Sequence, residues 1–145
     1  MSIAVARRLE DVAFEDVVVP IPAGFTLESG DRLRDGEIRV RRHGAVDAPQ
    51  IIALGGISAG LDVGGDGGWW SEFVGEGATL DTNAFGVLGV DFAPLTDHRV
   101  RITPADQARL LVLALDWLGI ERLHAFVGAS YGGMVGLAFA AANSG

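Results

Sequence analysis

Several residue types that support common enzymatic chemistries are scarce or absent in this chain of 145 residues. It has no cysteine, which excludes a disulfide framework, a thiolate nucleophile and a cysteine-ligated metal site. Its three histidines, His43, His98 and His124, have no zinc-binding spacing. No apolar run approaches the roughly 20 residues that a membrane span needs. We therefore expect an oxygen nucleophile and no metal.

Basic residues are also few. Eleven Lys and Arg stand against 19 Asp and Glu, which gives a formal net charge of −8, and they form no long cluster. Such a chain repels phosphate backbones and anionic lipids, so we expect neither nucleic acid nor a membrane as a partner. The first residues lack the apolar stretch and cleavage site of a secretory signal, which favours a cytoplasmic location. The length fits one domain over residues 1–145.

Short, continuously apolar runs predict strands that are covered on both faces. Gln50–Leu54 and Phe85–Val90 are such runs. Leu123–Val127 is predicted as a further strand from its brevity and its Phe and Val. A helical pattern separates the second run from this further strand, and another helical run, Met134–Ala142, follows it. Strands and helices in alternation predict an α/β fold with a mostly parallel, doubly wound sheet flanked by helices.

The first of these helices has clear start and stop signals. Thr103 suits the N-cap, Pro104 suits the first helical position, and Asp106 adds negative charge in the first turn. Gly119 stands where a left-handed C-terminal cap belongs. One apolar stripe lies between these signals and contains Ala108, Leu111, Val112, Leu115 and Leu118. We expect this stripe to pack on the sheet.

The first part of the chain gives weaker signals. Val17–Ile21 is rich in β-formers but contains a proline and precedes another, which predicts an edge strand or an irregular lead-in. Glu37–Arg42 alternates and places Ile38 and Val40 on one face, as a half-solvated strand would. The strand is predicted to end at His43 and the glycine after it.

The segment G-A-S-Y-G at residues 128–132 matches the G-x-S-x-G nucleophile elbow, with a predicted strand before it and a predicted helix after it. The elbow holds Ser130 on a strained turn that exposes its hydroxyl, and Gly128 and Gly132 leave room for neighbouring backbone. Ser130 is therefore the predicted nucleophile, and the Tyr131 backbone N–H is a predicted oxyanion donor. The alternatives are an ordinary tight turn or a phosphate-binding loop of dinucleotide type.

A second oxyanion donor is expected from the loop after an earlier strand. Gly55-Gly56-Ile57-Ser58 follows the apolar run that ends at residue 54. We assign the donor to the Ile57 backbone N–H, and we assign substrate binding to Gly56 and Ser58. A purely structural role is the alternative for Ser58.

A catalytic serine needs a base, and no histidine is a clear candidate. His124 lies in the strand before the elbow and is expected to be structural, while His43 and His98 lie in predicted connections and are expected to be solvated or structural. Asp91 ends a predicted strand but precedes the serine, which is the wrong order for a triad acid in this type of fold.

Further motifs give the chain a family resemblance. They are Gly68-Trp69-Trp70, Val74-Gly75-Glu76-Gly77, Leu80-Asp81-Thr82 and Phe85. They resemble the G-W-W, V-G-x-G and D-T-x-x-F pattern of homoserine O-acetyltransferases, and so does the elbow extended to Met134. With L-G-G-I-S-A-G at residues 54–60, the similarity spans residues 50–142 in one order. It implies an α/β-hydrolase fold, of which this chain is the N-terminal portion without the lid and the C-terminal strands.

The resemblance implies that Ser130 takes an acyl group from acyl-CoA and passes it to L-homoserine in methionine biosynthesis. It implies no cofactor besides this co-substrate, and it implies a homodimer. The segment after Asp91 departs from the family pattern, so acetyl and succinyl transfer both stay open. The family's catalytic Asp and His come much later in the chain, so the isolated polypeptide is expected to be inactive or to need a complementing chain. A serine esterase or thioesterase and a non-catalytic fragment are the alternatives.

Overall fold

A computed structural model describes residues 5–9, 12–33, 36–93 and 100–144 of the chain. The strands are β1 (Val5–Leu9), β2 (Val12–Pro20), β3 (Phe25–Thr26), β4 (Arg32–Leu33), β5 (Glu37–Gly44), β6 (Gln50–Leu54), β7 (Val74–Gly75), β8 (Leu80–Asp81), β9 (Gly86–Val90) and β10 (Ala125–Gly128). The helices are α1 (Pro104–Trp117) and α2 (Tyr131–Ala142). Six strands form one sheet in the order β1-β2-β5-β9-β6-β10, while β3-β4 and β7-β8 form two small sheets.

The main sheet is mixed, whereas the sequence predicted a mostly parallel one. β9, β6 and β10 pair in parallel, and Ile51 of β6 lies between Val87 of β9 and Ala125 of β10. β1, β2 and β5 pair in antiparallel fashion, as do β5 and β9. Parallel neighbours need a crossover of about a dozen residues or more, and the connection between β1 and β2 is far shorter. The predicted parallel arrangement therefore holds for the three strands nearest the elbow.

The prediction of an edge strand or an irregular lead-in at Val17–Ile21 is wrong. β2 lies in the interior of the sheet, between β1 and β5, and Val17 and Val19 are buried. Pro20 ends the strand, so its missing N–H removes no ladder hydrogen bond from the centre. The interior position of β2 results from its pairing with β1 and β5, and the sequence did not indicate that these strands are its neighbours.

The structure confirms the strand predicted at Glu37–Arg42 and extends it to Gly44. Ile38 and Val40 are both buried, as the alternation predicted. His43 is also part of this strand and is buried, so it does not lie in a connection as the sequence suggested.

The predicted ends of α1 are confirmed. The Asp106 N–H donates to Thr103 Oγ1 at 3.1 Å, and the Thr103 N–H donates to the Asp106 carboxylate at 3.0 Å, which together form a capping box. At the other end Gly119 has φ 71°, and the Ile120 N–H donates to the Leu115 carbonyl at 2.9 Å. These contacts satisfy backbone groups at both termini of the helix.

Both helices pack on the same face of the sheet and share one hydrophobic core. The α1 residues buried in this core are Ala108, Leu110, Leu111, Ala114 and Leu115. Val112 and Leu118, which the sequence placed in the buried stripe, are only half buried. The helix is therefore rotated slightly from the predicted orientation, because it packs against α2 as well as against the sheet.

A glycine-rich segment, residues 55–85, covers the opposite face of the sheet. Its Val63 and Val74 are buried against Ala53 and Val87 of the sheet, with two tryptophans packed beside them. The described residues thus contain no helix on this face, and the predicted doubly wound arrangement is not found among them. Neither helix of the described ranges is long and apolar enough to cross a membrane.

Candidate active site

Ser130 lies in the sharp turn between β10 and α2. Its backbone has φ 55° and ψ −124°, and among the described residues it is the one non-glycine residue with positive φ. This conformation is costly for a residue with a side chain and is found mostly where the surrounding structure enforces it. The residue is exposed and occupies the N-cap of α2, yet its hydroxyl makes no capping hydrogen bond. Ser130 is thus an exposed residue whose hydroxyl has no helix-capping partner, as expected of a nucleophile.

The two glycines of the elbow are required by close backbone packing, as predicted. A Cβ on Gly128 would lie 2.6 Å from the Gly132 carbonyl oxygen. A Cβ on Gly132 would collide with the Leu54 carbonyl oxygen and would lie 2.7 Å from that of Gly55. The elbow can therefore approach the end of β6 only because both side chains are absent.

Two hydrogen bonds join the elbow to the loop after β6. The Ala129 N–H donates to the Leu54 carbonyl at 2.9 Å, and the Gly132 N–H donates to the Gly55 carbonyl at 3.0 Å. The start of this loop therefore lies directly beside the turn that carries Ser130.

The two predicted oxyanion donors belong to these adjoining elements. Tyr131 is the first residue of α2, where free N–H groups and the helix dipole favour negative charge. Ile57 is 52% exposed and lies two residues beyond Gly55. Within the described part of the chain, neither the Tyr131 N–H nor the Ile57 N–H donates to a backbone or side-chain acceptor. Gly56 is half buried and Ser58 is exposed in the same loop, so both assigned substrate-binding residues lie next to the predicted donor.

The Tyr131 side chain anchors the elbow in the core. Its ring packs edge-on against Phe92, with ring centroids 4.8 Å apart, and burial raises the pKa of its phenol. The buried Gln107 of α1 accepts a hydrogen bond from the Ala93 N–H at 3.0 Å and fixes the chain just after Phe92. Sequence reasoning missed both Phe92 and Gln107. The available signal for Gln107 was its position four residues before Leu111, on the side of the helix that carries the apolar stripe.

Neither described histidine lies near Ser130. His43 is buried in β5, which is three strand spacings or about 14 Å from β10, and burial lowers the pKa of its imidazole. His124 precedes β10 and packs against Phe85 with ring centroids 5.0 Å apart, whereas Ser130 follows the opposite end of that strand. His98 lies outside the described residues. Of the two outcomes expected for His43, burial favours the structural one, whereas His124 is exposed and contacts the Phe85 ring.

Asp91 directly follows β9 and forms a hydrogen bond away from Ser130. Its carboxylate accepts a hydrogen bond from the Leu61 N–H at 2.8 Å. Among the described residues, no group of three or more His, Asp and Glu side chains could hold a metal ion. The site therefore offers a serine hydroxyl and backbone amides as its chemical groups.

Comparisons with known proteins identify relatives of this chain. It is 40% identical over 113 residues to a homoserine O-succinyltransferase of Xanthomonas campestris pv. campestris, a match that covers 74% of this chain and 31% of that protein. It is 32% identical over 146 residues to a homoserine O-acetyltransferase of Acidiphilium cryptum, covering 81% and 38% respectively. The chain is a homologue of the homoserine O-acyltransferases. It spans about one third of the length of these curated relatives, and no model of a protein family matches it.

Solved structures show the fold of this acyltransferase homologue. The crystal structure of esterase E22 superposes with a TM-score of 0.80 at 21% identity, covering 91% of this chain and 45% of that one. Homoserine O-acetyltransferase from Staphylococcus aureus gives 0.78 at 20% identity, with coverage of 90% and 43%. The chain therefore has part of an α/β-hydrolase fold, which confirms the predicted fold class.

Proposed function

We propose that this chain carries the nucleophile of a homoserine O-acyltransferase of methionine biosynthesis. Ser130 would take an acetyl or succinyl group from acyl-CoA and pass it to the hydroxyl of L-homoserine. The observation that carries the proposal is the backbone of Ser130, an exposed residue that is held at φ 55° at the N-terminus of a helix and whose hydroxyl caps nothing. Homology to homoserine O-acyltransferases supports the choice of acceptor.

The proposed reaction has two half-reactions. In the first, Ser130 Oγ attacks the thioester carbonyl carbon, its proton passes to a base, and the carbon–sulfur bond breaks to release CoA as a thiol. In the second, the homoserine hydroxyl attacks the acyl carbon and its proton passes to the base, while the bond from Ser130 Oγ to that carbon breaks and Oγ takes a proton from the base. The Tyr131 and Ile57 N–H groups would stabilise the oxyanion in both steps. Gly56 and Ser58 would contact the substrate, and acyl-CoA is the only co-substrate required.

The base is the group that the described residues do not supply. His43 and His124 both lie away from Ser130, and a serine without a base is a poor nucleophile. We propose that a complementing polypeptide, outside these 145 residues, provides the base and the acid that orients it. The 145-residue chain alone is then expected to transfer acyl groups slowly or not at all.

An open surface beside the elbow supports association with a complementing chain. β10 is an edge strand of the described sheet, paired with β6 on one side. The adjacent helix α2 exposes Met134 and Leu137, which are 58% and 76% accessible. Open strand edges and exposed apolar side chains are typical of surfaces that pair with another segment. A second copy of the chain is the other partner that we propose for this surface, which would make a homodimer. We also propose that the enzyme is cytoplasmic.

The test is CoA-thiol release by this chain together with the polypeptide that complements it, measured with acetyl-CoA or succinyl-CoA in the presence and absence of L-homoserine. We expect release that depends on homoserine, an acyl adduct on Ser130 detectable by peptide mass spectrometry, and loss of both in Ser130→Ala. The donor that supports release identifies the acyl group. Equal release without homoserine would instead indicate a thioesterase, and a folded protein with no release and no adduct would contradict acyl chemistry.

A further inference from the structure

The loop from Gly55 to Gly60 must hold its shape if Ile57 is to donate to an oxyanion. Its ends are glycines, Gly60 has φ 76°, and Ile57 and Ser58 are exposed. Among the described residues, one backbone hydrogen bond lies inside the loop, and it joins the Ala59 N–H to the Gly56 carbonyl at 2.9 Å. Such a glycine-rich, exposed segment samples many conformations unless contacts from outside restrain it.

Trp69 contacts both ends of this loop. Its indole Nε1–H donates to the Gly60 carbonyl at 3.2 Å. The same indole covers Gly55, where an added Cβ would lie 3.1 Å from both Cδ2 and Cε3 of the ring. The Trp69 backbone N–H donates to the Asp62 carbonyl at 3.1 Å, and its ring packs against Trp70 with centroids 4.6 Å apart. One fixed side chain therefore spans the loop from its first residue to its last.

Asp91 holds the chain immediately after the loop. Its carboxylate accepts the Leu61 N–H at 2.8 Å, and an added Cβ on Gly60 would lie 3.5 Å from the same carboxylate oxygen. Its own backbone N–H donates to the Arg39 carbonyl at 3.0 Å, so Asp91 belongs to the rigid end of the sheet. The loop is thus attached to the sheet at its far end, as the Gly132 N–H attaches Gly55 at its near end.

We infer that Trp69 and Asp91 are positioning residues that fix the Ile57 N–H relative to Ser130. The inference rests on the proposed function, because it assumes that Ile57 is an oxyanion donor. Neither side chain needs to touch the substrate. An oxyanion donor is effective only when it is in place before charge develops, and a displacement of about 1 Å can reduce the rate by about 100-fold. Loss of either contact should therefore lower kcat while leaving KM nearly unchanged.

The first arm of the test does not depend on acyl transfer. Hydrogen–deuterium exchange at residues 56–61 is compared between the wild type, Trp69→Phe and Asp91→Ala, with Trp117→Phe as the control, since Trp117 is 44% exposed at the end of α1. Trp69→Phe keeps an aromatic ring but loses the N–H that bonds Gly60. We expect faster exchange confined to residues 56–61 in Trp69→Phe and Asp91→Ala, and wild-type exchange there in Trp117→Phe. Unchanged exchange in both test variants overturns the inference.

The second arm measures kcat and KM of the same proteins for acyl transfer, with global stability followed by urea unfolding. We expect kcat to fall by about tenfold or more in Trp69→Phe and Asp91→Ala, with KM within about twofold. Asp91→Asn, whose amide oxygen can still accept the Leu61 N–H, should recover most of kcat and of the protection from exchange. Faster exchange with unchanged kcat overturns the positioning role. If the wild type transfers no acyl group, the proposed function fails and the catalytic role of the two residues fails with it. Faster exchange in Trp69→Phe and Asp91→Ala would then still show that both side chains fix the loop, and unchanged exchange would overturn that as well.

Discussion

The two helices pack on the same face of the sheet but begin in opposite ways. α1 starts at a capping box in which Thr103 and Asp106 satisfy each other's backbone N–H groups. α2 starts at Ser130, whose backbone is strained and whose hydroxyl caps nothing, and its first turn has no acidic residue. Their compositions differ as well, since α1 has a buried face and charged residues, whereas α2 has no charged residue and exposes Met134 and Leu137.

Under the proposed function, α1 is a helix that stabilises the fold, whereas the start of α2 would present the nucleophile. A capped terminus uses its N–H groups internally and adds stability. An uncapped terminus leaves N–H groups free for a developing negative charge, at a cost in stability that the neighbouring packing must offset. On this interpretation α1 and the sheet hold α2 in place, and α2 presents Ser130 and the Tyr131 N–H.

Ser130→Ala is expected to have the largest effect, and it tests whether the start of α2 carries the nucleophile. Removing the nucleophile should lower the rate of homoserine-dependent CoA release by about four orders of magnitude or more. The free energy of unfolding should change little, because the side chain is exposed and makes no capping bond. Ser71→Ala is the matched control, since Ser71 is an exposed serine in the glycine-rich segment. Residual transfer above one tenth of the wild-type rate would contradict the nucleophile assignment.

Two adjacent glycines test whether the first turn of α2 is fixed by packing. An added Cβ on Gly132 would collide with the Leu54 carbonyl, whereas one on Gly133 would lie no closer than 3.6 Å to Gly128. We expect Gly132→Ala to lose about 3 kcal/mol or more of the free energy of unfolding, or to fail to fold, because backbone cannot move aside cheaply. Gly133→Ala should gain up to about 1 kcal/mol from helix propensity. Urea unfolding of both variants measures the contrast, and equal stabilities would show that the elbow is not packed as described.

A substitution at the start of α1 should change the stability of the protein and leave its activity unchanged. Thr103→Ala removes the oxygen that accepts the Asp106 N–H and leaves the buried Asp106 with one partner fewer. We expect a loss of about 1 to 2 kcal/mol in the free energy of unfolding, with kcat unchanged once the protein is folded. Thr103→Ser keeps the hydroxyl and should retain most of the stability. A change in kcat without a change in stability would mean that α1 acts on the site directly.

Local signals were sufficient to predict much of this structure. Thr103, Pro104 and Gly119 gave the limits of α1, and the run Gln50–Leu54 gave β6, because each depends on neighbours in sequence. The G-x-S-x-G spacing placed Ser130 at a strand-to-helix turn for the same reason. The catalytic roles of Ser130 and of the two amide donors remain predictions until the assays are made.

Contacts between distant segments could not be predicted in this way. The interior position of β2 depends on pairing with β1 and β5, and the two-proline pattern near its end pointed to an edge. Gln107 and Phe92 act at the site through packing that brings α1, β9 and α2 together. The bond from Trp69 to the Gly60 carbonyl likewise depends on how a long loop folds back on itself. The spacing of residues in the sequence does not show which distant segments come into contact.

The smallest expected effect measures the cost of the strained backbone at residue 130 separately from the loss of the Ser130 hydroxyl. Ser130→Gly and Ser130→Ala both remove the hydroxyl, so both should be inactive, but only glycine adopts a positive φ without steric cost. We expect the glycine variant to have the higher free energy of unfolding, by about 1 kcal/mol, measured by urea unfolding under identical conditions. A glycine variant no more stable than the alanine variant would mean that the turn imposes no cost on a side chain. The starts of α1 and α2 would then differ only in capping, because glycine at position 130 would have relieved no backbone strain.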